Sequence, residues 1–165
     1  QDRFEVGPRA LGNRSILADP SNLETARRLS KKVKKRASFR PYACSIAEAE
    51  VERAFGSQKS AHSPAAQWMQ TSAAVSPQVR TQLRAAMHID GTTRPHVCKE
   101  GSNPSMHKLL TEMGKSKGLS ALLNTSFNES GMPMVASGLE AFLMFLRTDM
   151  DMLAISGTLF TKEGV

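Results

Sequence analysis

Leu122–Asn128, LLNTSFN, is the stretch that decides how the chain is read. An apolar run stops abruptly at Asn124, Thr125, Ser126 and Asn128. Alternation along an extended strand puts Asn124, Ser126 and Asn128 on one side. A buried strand with amides and hydroxyls at its tip is a common way to build a site in an α/β sheet. Such neutral donors and acceptors suit a planar amide or a ribose. The competing reading is local turn chemistry ahead of Gly131.

Outward from this strand, further strands are predicted at Ser15–Ala18, Trp68–Val75, Arg94–Cys98 and Met152–Ser156, with Ala121–Phe127 as the central one. Four helices announce themselves through their starts. Ser21 with Glu24 reads as a capping box ahead of Leu23, Ala26 and Leu29. Ser45 with Glu48 reads as a second, leading into Val51, Ala54 and Phe55 and stopped by Gly56. Asn103-Pro104 opens a third, with Met106, Leu109, Leu110 and Met113 on one face. Ser137 with Glu140 opens the fourth, with Leu139, Phe142, Leu143 and Leu146 as its buried stripe. Helices interleaved with strands predict an α/β or α+β domain, its helices packed on a mixed sheet. Gly56–Pro64 reads as a polar, mobile loop and Lys162–Val165 as a frayed tail.

The bulk properties agree with one such domain. A chain of 165 residues is of single-domain size, and 40% hydrophobic and 22% charged residues are ordinary for a globular protein. No run of 18 apolar residues spans a membrane. The chain opens on Gln1 with no basic-then-apolar leader, so no signal peptide is visible and a fragment of a longer protein is expected. Cys44 and Cys98 are too few for a disulfide framework or a zinc site and read as reduced thiols in a cytoplasmic protein. The net charge of +7 fits an anionic partner. Much of the excess lies in Arg27–Arg40, where a solvated helix face is the ordinary reading for most side chains.

Three further segments carry groups suited to anion chemistry. In Gly7–Ile16, GPRALGNRSI, Arg9 and Arg14 sit beside glycines. Guanidinium grips phosphate or carboxylate oxygens in pairs, and glycine lets backbone N–H groups approach a ligand. In Lys34–Tyr42, KKRASFRPY, parity puts Lys34, Arg36 and Arg40 on one face of an extended segment. A positively decorated helix C-terminus explains Lys34 and Arg36 equally well. Arg40 is the stronger site candidate, since Phe39 and Tyr42 beside it should hold it in place. In His88–Arg94, HIDGTTR, Asp90-Gly91 is a turn signal that brings Arg94 near the turn. His88 and Asp90 form a proton-transferring pair or part of a metal site, or else His88 is structural and Asp90 a turn former or an arginine partner.

These four segments, in their order along the chain (GPRALGNRSI, KKRASFRPY, HIDGTTR, LLNTSFN), resemble the C-terminal domain of the NodU/CmcH family of O-carbamoyltransferases. The matching stretches are FEVGPRALGNRSILADP, VKKRASFRPYACS, HIDGTTRPHV and LLNTSFNESGMPMV, with LEAFLMFLRTDMDMLAI also in character. The resemblance implies a YrdC-like fold, a twisted open sheet of mixed strand direction, covering residues 1–165. It implies a partner within the same protein, an N-terminal ASKHA-type domain that holds the metal of the transfer step. The C-terminal domain is expected to take carbamoyl phosphate and ATP, with Mg²⁺ on the ATP phosphates, and to form carbamoyl-adenylate. The other domain then passes the carbamoyl group to a substrate hydroxyl. Lys34-Lys35-Arg36 and Ser126-Phe127-Asn128 look like the Lys-x-Arg and Ser-x-Asn elements that line such sites. Carried onto this chain, Lys34, Arg40, Arg94 and Ser126 are the expected catalytic groups. Arg9, Arg14, Arg36, Asn124, Thr125 and Asn128 are expected to bind substrate, and no protein-held metal is expected here. Tyr42-Ala43-Cys44 stands where family members often carry Phe-Ala-Pro.

A nucleic-acid-binding module is the rival from another class. The net charge favours it, but 5% aromatic residues give little for base stacking, and no helix-turn-helix or RNP pattern is present. A noncatalytic nucleotide-binding domain and a tRNA-modifying YrdC-type enzyme are two more rivals. GPRALGNRSI points away from the tRNA-modifying enzyme.

Overall fold

The computed structural model describes residues 5, 7, 9–37 and 39–162. In chain order its strands are β1 (Ser15–Ala18), β2 (Ala43–Ala47), β3 (Ala73–Ala74), β4 (Thr92–Thr93), β5 (Pro95–Cys98), β6 (Ala121–Ser126), β7 (Met152–Ile155) and β8 (Thr158–Thr161). The α-helices are α1 (Leu23–Arg28), α2 (Val51–Phe55), α3 (Lys59–His62), α4 (Arg80–Leu83), α5 (Pro104–Lys117) and α6 (Gly138–Arg147). The main sheet runs β1-β6-β2-β5. β6 is antiparallel to both neighbours, and β2 and β5 are parallel. This is the mixed, open α+β sheet that the interleaved pattern predicts.

LLNTSFN supplies the interior strand. β6 is buried on both faces, so it reads as a continuous apolar run until its polar tip. On one face Leu122 packs with Ala47, Cys98, Met106 and Leu110 beneath α5. On the other Leu123 joins the larger core with Ile46, Phe55, Val79, Leu83 and Phe145. Asn103 caps α5 by accepting from the Met106 N–H at 3.1 Å, with Pro104 at the first helical position.

Several local expectations are corrected. Asn22, not Ser21, caps α1; its carboxamide accepts from the Glu24 and Thr25 N–H groups, while Ser21 binds Asp19. Ser45 caps no helix: it lies within β2, fully buried, and helical structure starts at Glu48. Sheet pairing to β5 and β6 overrides the local capping pattern there. In Trp68–Val75 only Ala73–Ala74 is strand, because Pro64–Trp68 is a 3₁₀ turn ending at Met69 with φ 54°. Gly56–Pro64 contains α3, tied down by Gln58, whose amide bonds Phe55 O, Ala74 O and the Ala74 N–H. On α5 Leu109 is exposed; Met106 and Leu110 are the residues buried on that face.

α6 starts at Ser137 as predicted but presents another face. Ala141, Met144 and Phe145 are buried, whereas Leu139, Leu143 and Leu146 are exposed. The helix is apolar nearly all round, so periodicity does not choose the face. Packing against the β7–β8 hairpin does, with the Phe142 and Phe160 rings 5.4 Å apart. The hairpin turns through Ser156 and Gly157, both at positive φ, a two-residue primed turn. The tail assignment partly lies outside the described residues. Lys162 is described: its Nζ donates to Thr148 O and sits 5.0 Å from the Phe145 ring centre.

Candidate functional site

Lys34 organises the polar end of β6. α1 widens at Leu29–Val33 into a π-type turn, with Lys34 N–H bonding Leu29 O and Arg36 N–H bonding Ser30 O. Helix therefore persists up to Lys34, and the expected extended face of Lys34, Arg36 and Arg40 does not form. The extra residue in the turn swings Lys34 inward, leaving it 3% exposed. Its Nζ donates to Ser126 O, Asn128 O and Asn128 Oδ1, each at 2.6 Å, and to Ser126 Oγ at 3.3 Å. Ser126 Oγ also donates to Asn128 Oδ1. Burial, helped by the Arg36 charge, lowers the Lys34 ammonium to about 7. Four oxygen acceptors work the other way.

A group of like charges surrounds this point. Arg36 lies over the Tyr42 ring at 4.4 Å and donates to Arg40 O and Pro41 O; its buried Nε has no partner among the described residues. Burial, then Arg9 and Arg36, lowers the Arg94 pKa. Among the described residues, all the charges that bear on Lys34 and Arg94 are thus positive. Arg40 is exposed, and Phe39 beside it is 84% exposed, so the aromatic clamp expected for Arg40 belongs to Arg36 instead.

The GPRALGNRSI loop is used differently from the expectation. Its backbone N–H groups are taken up by an internal carboxylate. Glu5 accepts from Leu11, Asn13 and Arg14 N–H at 2.8, 3.1 and 3.0 Å. Gly12 has φ 112°, and a Cβ there would lie 2.9 Å from Asn103 Nδ2 and 3.2 Å from Met106 Cγ. The glycine lets the loop press on the start of α5, and Asn103 Nδ2 reaches Leu11 O. Arg14 donates to Val135 O and Asn13 O and lines a cavity of about 520 Å³ with Leu17, Met106, Val135, Ile155 and Leu159. That cavity lies beside β1 and does not take in Lys34, Arg36 or Arg94, so this void and the cation cluster are separate features.

Beneath the cluster lies a polar chain that no sequence motif announces. Asn124 is 1% exposed; its Nδ2 donates to Ala10 O at 3.2 Å and Ser45 Oγ at 2.8 Å. Ser45 Oγ lies 2.8 Å from His96 Nδ1. Asn124 Oδ1 is buried with no partner among the described residues. An unmet buried acceptor of this kind costs roughly 1–3 kcal/mol. Burial lowers His96 to about 4, which keeps it neutral. Thr125 points to the opposite face from Asn124 and Ser126, as alternation requires.

His88 and Asp90 do not touch directly. Thr92 Oγ1 donates to Asp90 Oδ1 at 2.7 Å and lies 3.1 Å from His88 Nδ1, which must then be its donor. Asp90 also accepts the Thr92 N–H, so it is a turn former, in keeping with Gly91 at φ 81°. Burial, with Arg94 nearby, lowers the His88 pKa. Cys44 and Cys98 are buried free thiols, each pushed up to about 12 chiefly by desolvation. Among the described residues no three His, Cys, Asp or Glu gather as a metal site, and no helix is long and apolar enough to cross a membrane.

The structure thus brings Lys34, Arg36, Arg94, Ser126 and Asn128 to one end of the sheet, with Arg9 and Asn124 beside them. It sends Arg14 to the cavity, Arg40 to the surface and Thr125 to the other face. Glu5, Ser45 and His96 join the site without having been expected there. An acidic residue just ahead of an N–H-rich loop is a readable signal for Glu5. Nothing local marks the other two, which depend on strand pairing.

Comparison with known proteins gives the chain its relatives. Residues 1–162 match the family model for the carbamoyltransferase C-terminus. The chain is 38% identical over 163 residues to nodulation protein NolO of Bradyrhizobium diazoefficiens, covering 99% of this chain and 29% of that one. It is 35% identical over 133 residues to the 3'-hydroxymethylcephem-O-carbamoyltransferase of Amycolatopsis lactamdurans, covering 79% of this chain and 24% of that one. A protein of Methanocaldococcus jannaschii is 38% identical over 164 residues, covering 99% and 26%. The chain therefore spans about a quarter of the length of these relatives.

Proposed function

From the premise that the chain belongs to the carbamoyltransferase C-terminus family, we propose that it binds carbamoyl phosphate and ATP and forms carbamoyl-adenylate. The observation that carries this reading is the buried Lys34 at the Ser126–Asn128 tip, among Arg36, Arg94 and Arg9, with only positive charge acting on it among the described residues. Such a group gains most from an anionic ligand.

Lys34, Arg36, Arg94 and Arg9 neutralise the phosphates, with Arg40 and Arg14 at the periphery. Mg²⁺ travels on the ATP phosphates and neutralises charge there. Asn124, Ser126 and Asn128 orient the planar carbamoyl group. Water releases phosphate from carbamoyl phosphate, and the carbamate oxygen then attacks the α-phosphorus and expels pyrophosphate. No side-chain nucleophile is needed; positioning and electrostatic stabilisation of the leaving phosphate do the work. The acceptor hydroxyl and the metal of the transfer step belong to a separate N-terminal ASKHA-type half, and the reaction runs in the cytoplasm.

Calorimetric titration of ATP in the presence of carbamoyl phosphate tests this, with a short DNA duplex as control. The expected result is saturable nucleotide binding that weakens at least about tenfold in Arg94→Ala and in Lys34→Ala, the loss of one charge-assisted partner each. Salt-sensitive duplex binding with no nucleotide response would overturn the reading.

A further inference from the structure

β1 is an edge of the main sheet. Phe127 N–H donates to Arg14 O, so in the antiparallel register Ile16 and Ala18 bond to β6, while Ser15 and Leu17 turn their N–H and C=O groups outward. Among the described residues nothing pairs with those outward groups. The β7–β8 hairpin has a second open edge. Its two-residue turn makes Ile155 and Thr158 a hydrogen-bonded pair, so Met152 and Ala154 turn their backbone groups away from β8. Those groups too have no partner among the described residues. β1 and β7 belong to separate sheets, and the cavity of about 520 Å³ is lined by β1 on one side and by residues 149–156 on the other. Both faces of this slot are roofed by apolar side chains. Met106 and Leu109 of α5 cover the Leu17 side, and Leu29, Val33 and Phe127 cover the Ile16 side.

We propose that this slot takes one extended segment of the longer polypeptide, inserted as a strand between β1 and β7 so that the two sheets become one. A strand there bonds to two rows of open backbone groups, which a small apolar ligand would leave unmet. A slot bounded by two edges also excludes the edge strand of a folded second copy, which has only one free side. Roofed on both faces, the inserted segment must read as β6 does, an apolar run without alternation. It covers Leu109, Met152 and Leu159, which are 43%, 61% and 60% exposed. The source follows from the relatives. The chain spans about a quarter of their length and matches the C-terminus of the family, so most of their remaining length lies ahead of the matched stretch. Glu5 accepts the Arg14 N–H at 3.0 Å, and Arg14 directly precedes β1. The polypeptide ahead of the matched stretch is thus delivered to the Ser15 end of the slot, where it runs antiparallel to β1.

The probe is a synthetic peptide of the residues directly ahead of the matched stretch in NolO, about fifteen long, enough for one strand with flanks. Titrated into the chain, it is expected to bind one to one and to slow amide exchange at Leu17 and Ala154 at least about tenfold. Ile16 and Leu153, already bonded within their sheets, are expected to change less. A scrambled peptide of the same composition is expected to bind at least about tenfold more weakly, and so is one N-methylated at alternate central residues of either parity, since both edges of the inserted strand are bonded. Leu17→Pro removes an outward N–H and suits an edge strand; it is expected to weaken the peptide likewise with an unchanged circular dichroism spectrum. Should that variant not fold, the N-methylated peptides decide the matter on the wild type. Weakening by one parity only would mean that a single edge is used, and overturns the slot. No binding, or equal binding of the scrambled peptide, overturns the proposal. So does slow exchange at Leu17 and Ala154 in the chain by itself, with a dimer seen by sedimentation equilibrium as the mark of a second copy.

Discussion

Raising the pH should stabilise this fold through Lys34, and the size of the effect follows from its surroundings. Its pKa falls from 10.5 in the unfolded chain to about 7 in the folded one. Below pH 7 both states hold the proton, and the cost of burying the charge is fully present. Between about 7 and 10.5 the unfolded chain binds more protons than the folded one, so stability rises with pH. The full span corresponds to about 5 kcal/mol, and the part between pH 6 and pH 9 to about 2.5 kcal/mol. Lys34→Met keeps the length of the side chain and has no proton to lose. Urea unfolding followed by circular dichroism, on wild type and variant across this range, isolates Lys34, because other titrating groups cancel in the difference. The wild type is expected to gain about 2–3 kcal/mol on the variant from pH 6 to pH 9. A difference flat to within about 0.5 kcal/mol would mean that the four oxygens around Nζ hold the proton and that desolvation does not govern this lysine.

Two further substitutions probe the loop that leads to the site. Gly12→Ala should cost about 2–3 kcal/mol in the same unfolding assay, since φ 112° strains any side chain and the new Cβ meets the Asn103 cap at 2.9 Å; a loss under about 0.5 kcal/mol would show that the loop does not press on α5. Glu5→Ala should cost about 2 kcal/mol, because the Leu11, Asn13 and Arg14 N–H groups lose their shared carboxylate, and amide exchange at those three positions should speed up; unchanged exchange would refute the carboxylate's role.

How much of this is legible in the sequence depends on whether a signal is local. LLNTSFN marks the interior strand and its polar tip, because a run buried on both faces is apolar without alternation until it emerges. Asn103-Pro104 and Ser137 mark helix starts, since caps act within one turn. Ser45 carries the same capping pattern and misleads, because pairing to His96 and Leu122 outweighs a cap in a buried strand. The face of α6 is not legible either, since apolar residues on every side leave the choice to the β7–β8 hairpin. Lys34 stands out by its charge and its neighbours in sequence, but its partners rest on a π-type turn that no periodicity announces.

The two departures from good packing in this domain are physically different, yet they meet at one end of one sheet. Lys34 buries a charge on which no opposite charge acts among the described residues, and Asn124 buries an acceptor with no donor among them. Each lowers stability by itself, while the core on the other face of the sheet is continuous and apolar. Buried groups that oppose folding persist where something outside the fold repays them. An anion alone answers the first and leaves the second; an uncharged amide answers the second and leaves the first. The first demand is for an anion and the second for an N–H donor; Arg94, which immediately precedes β5, and His96 within it stand at that same end of the sheet.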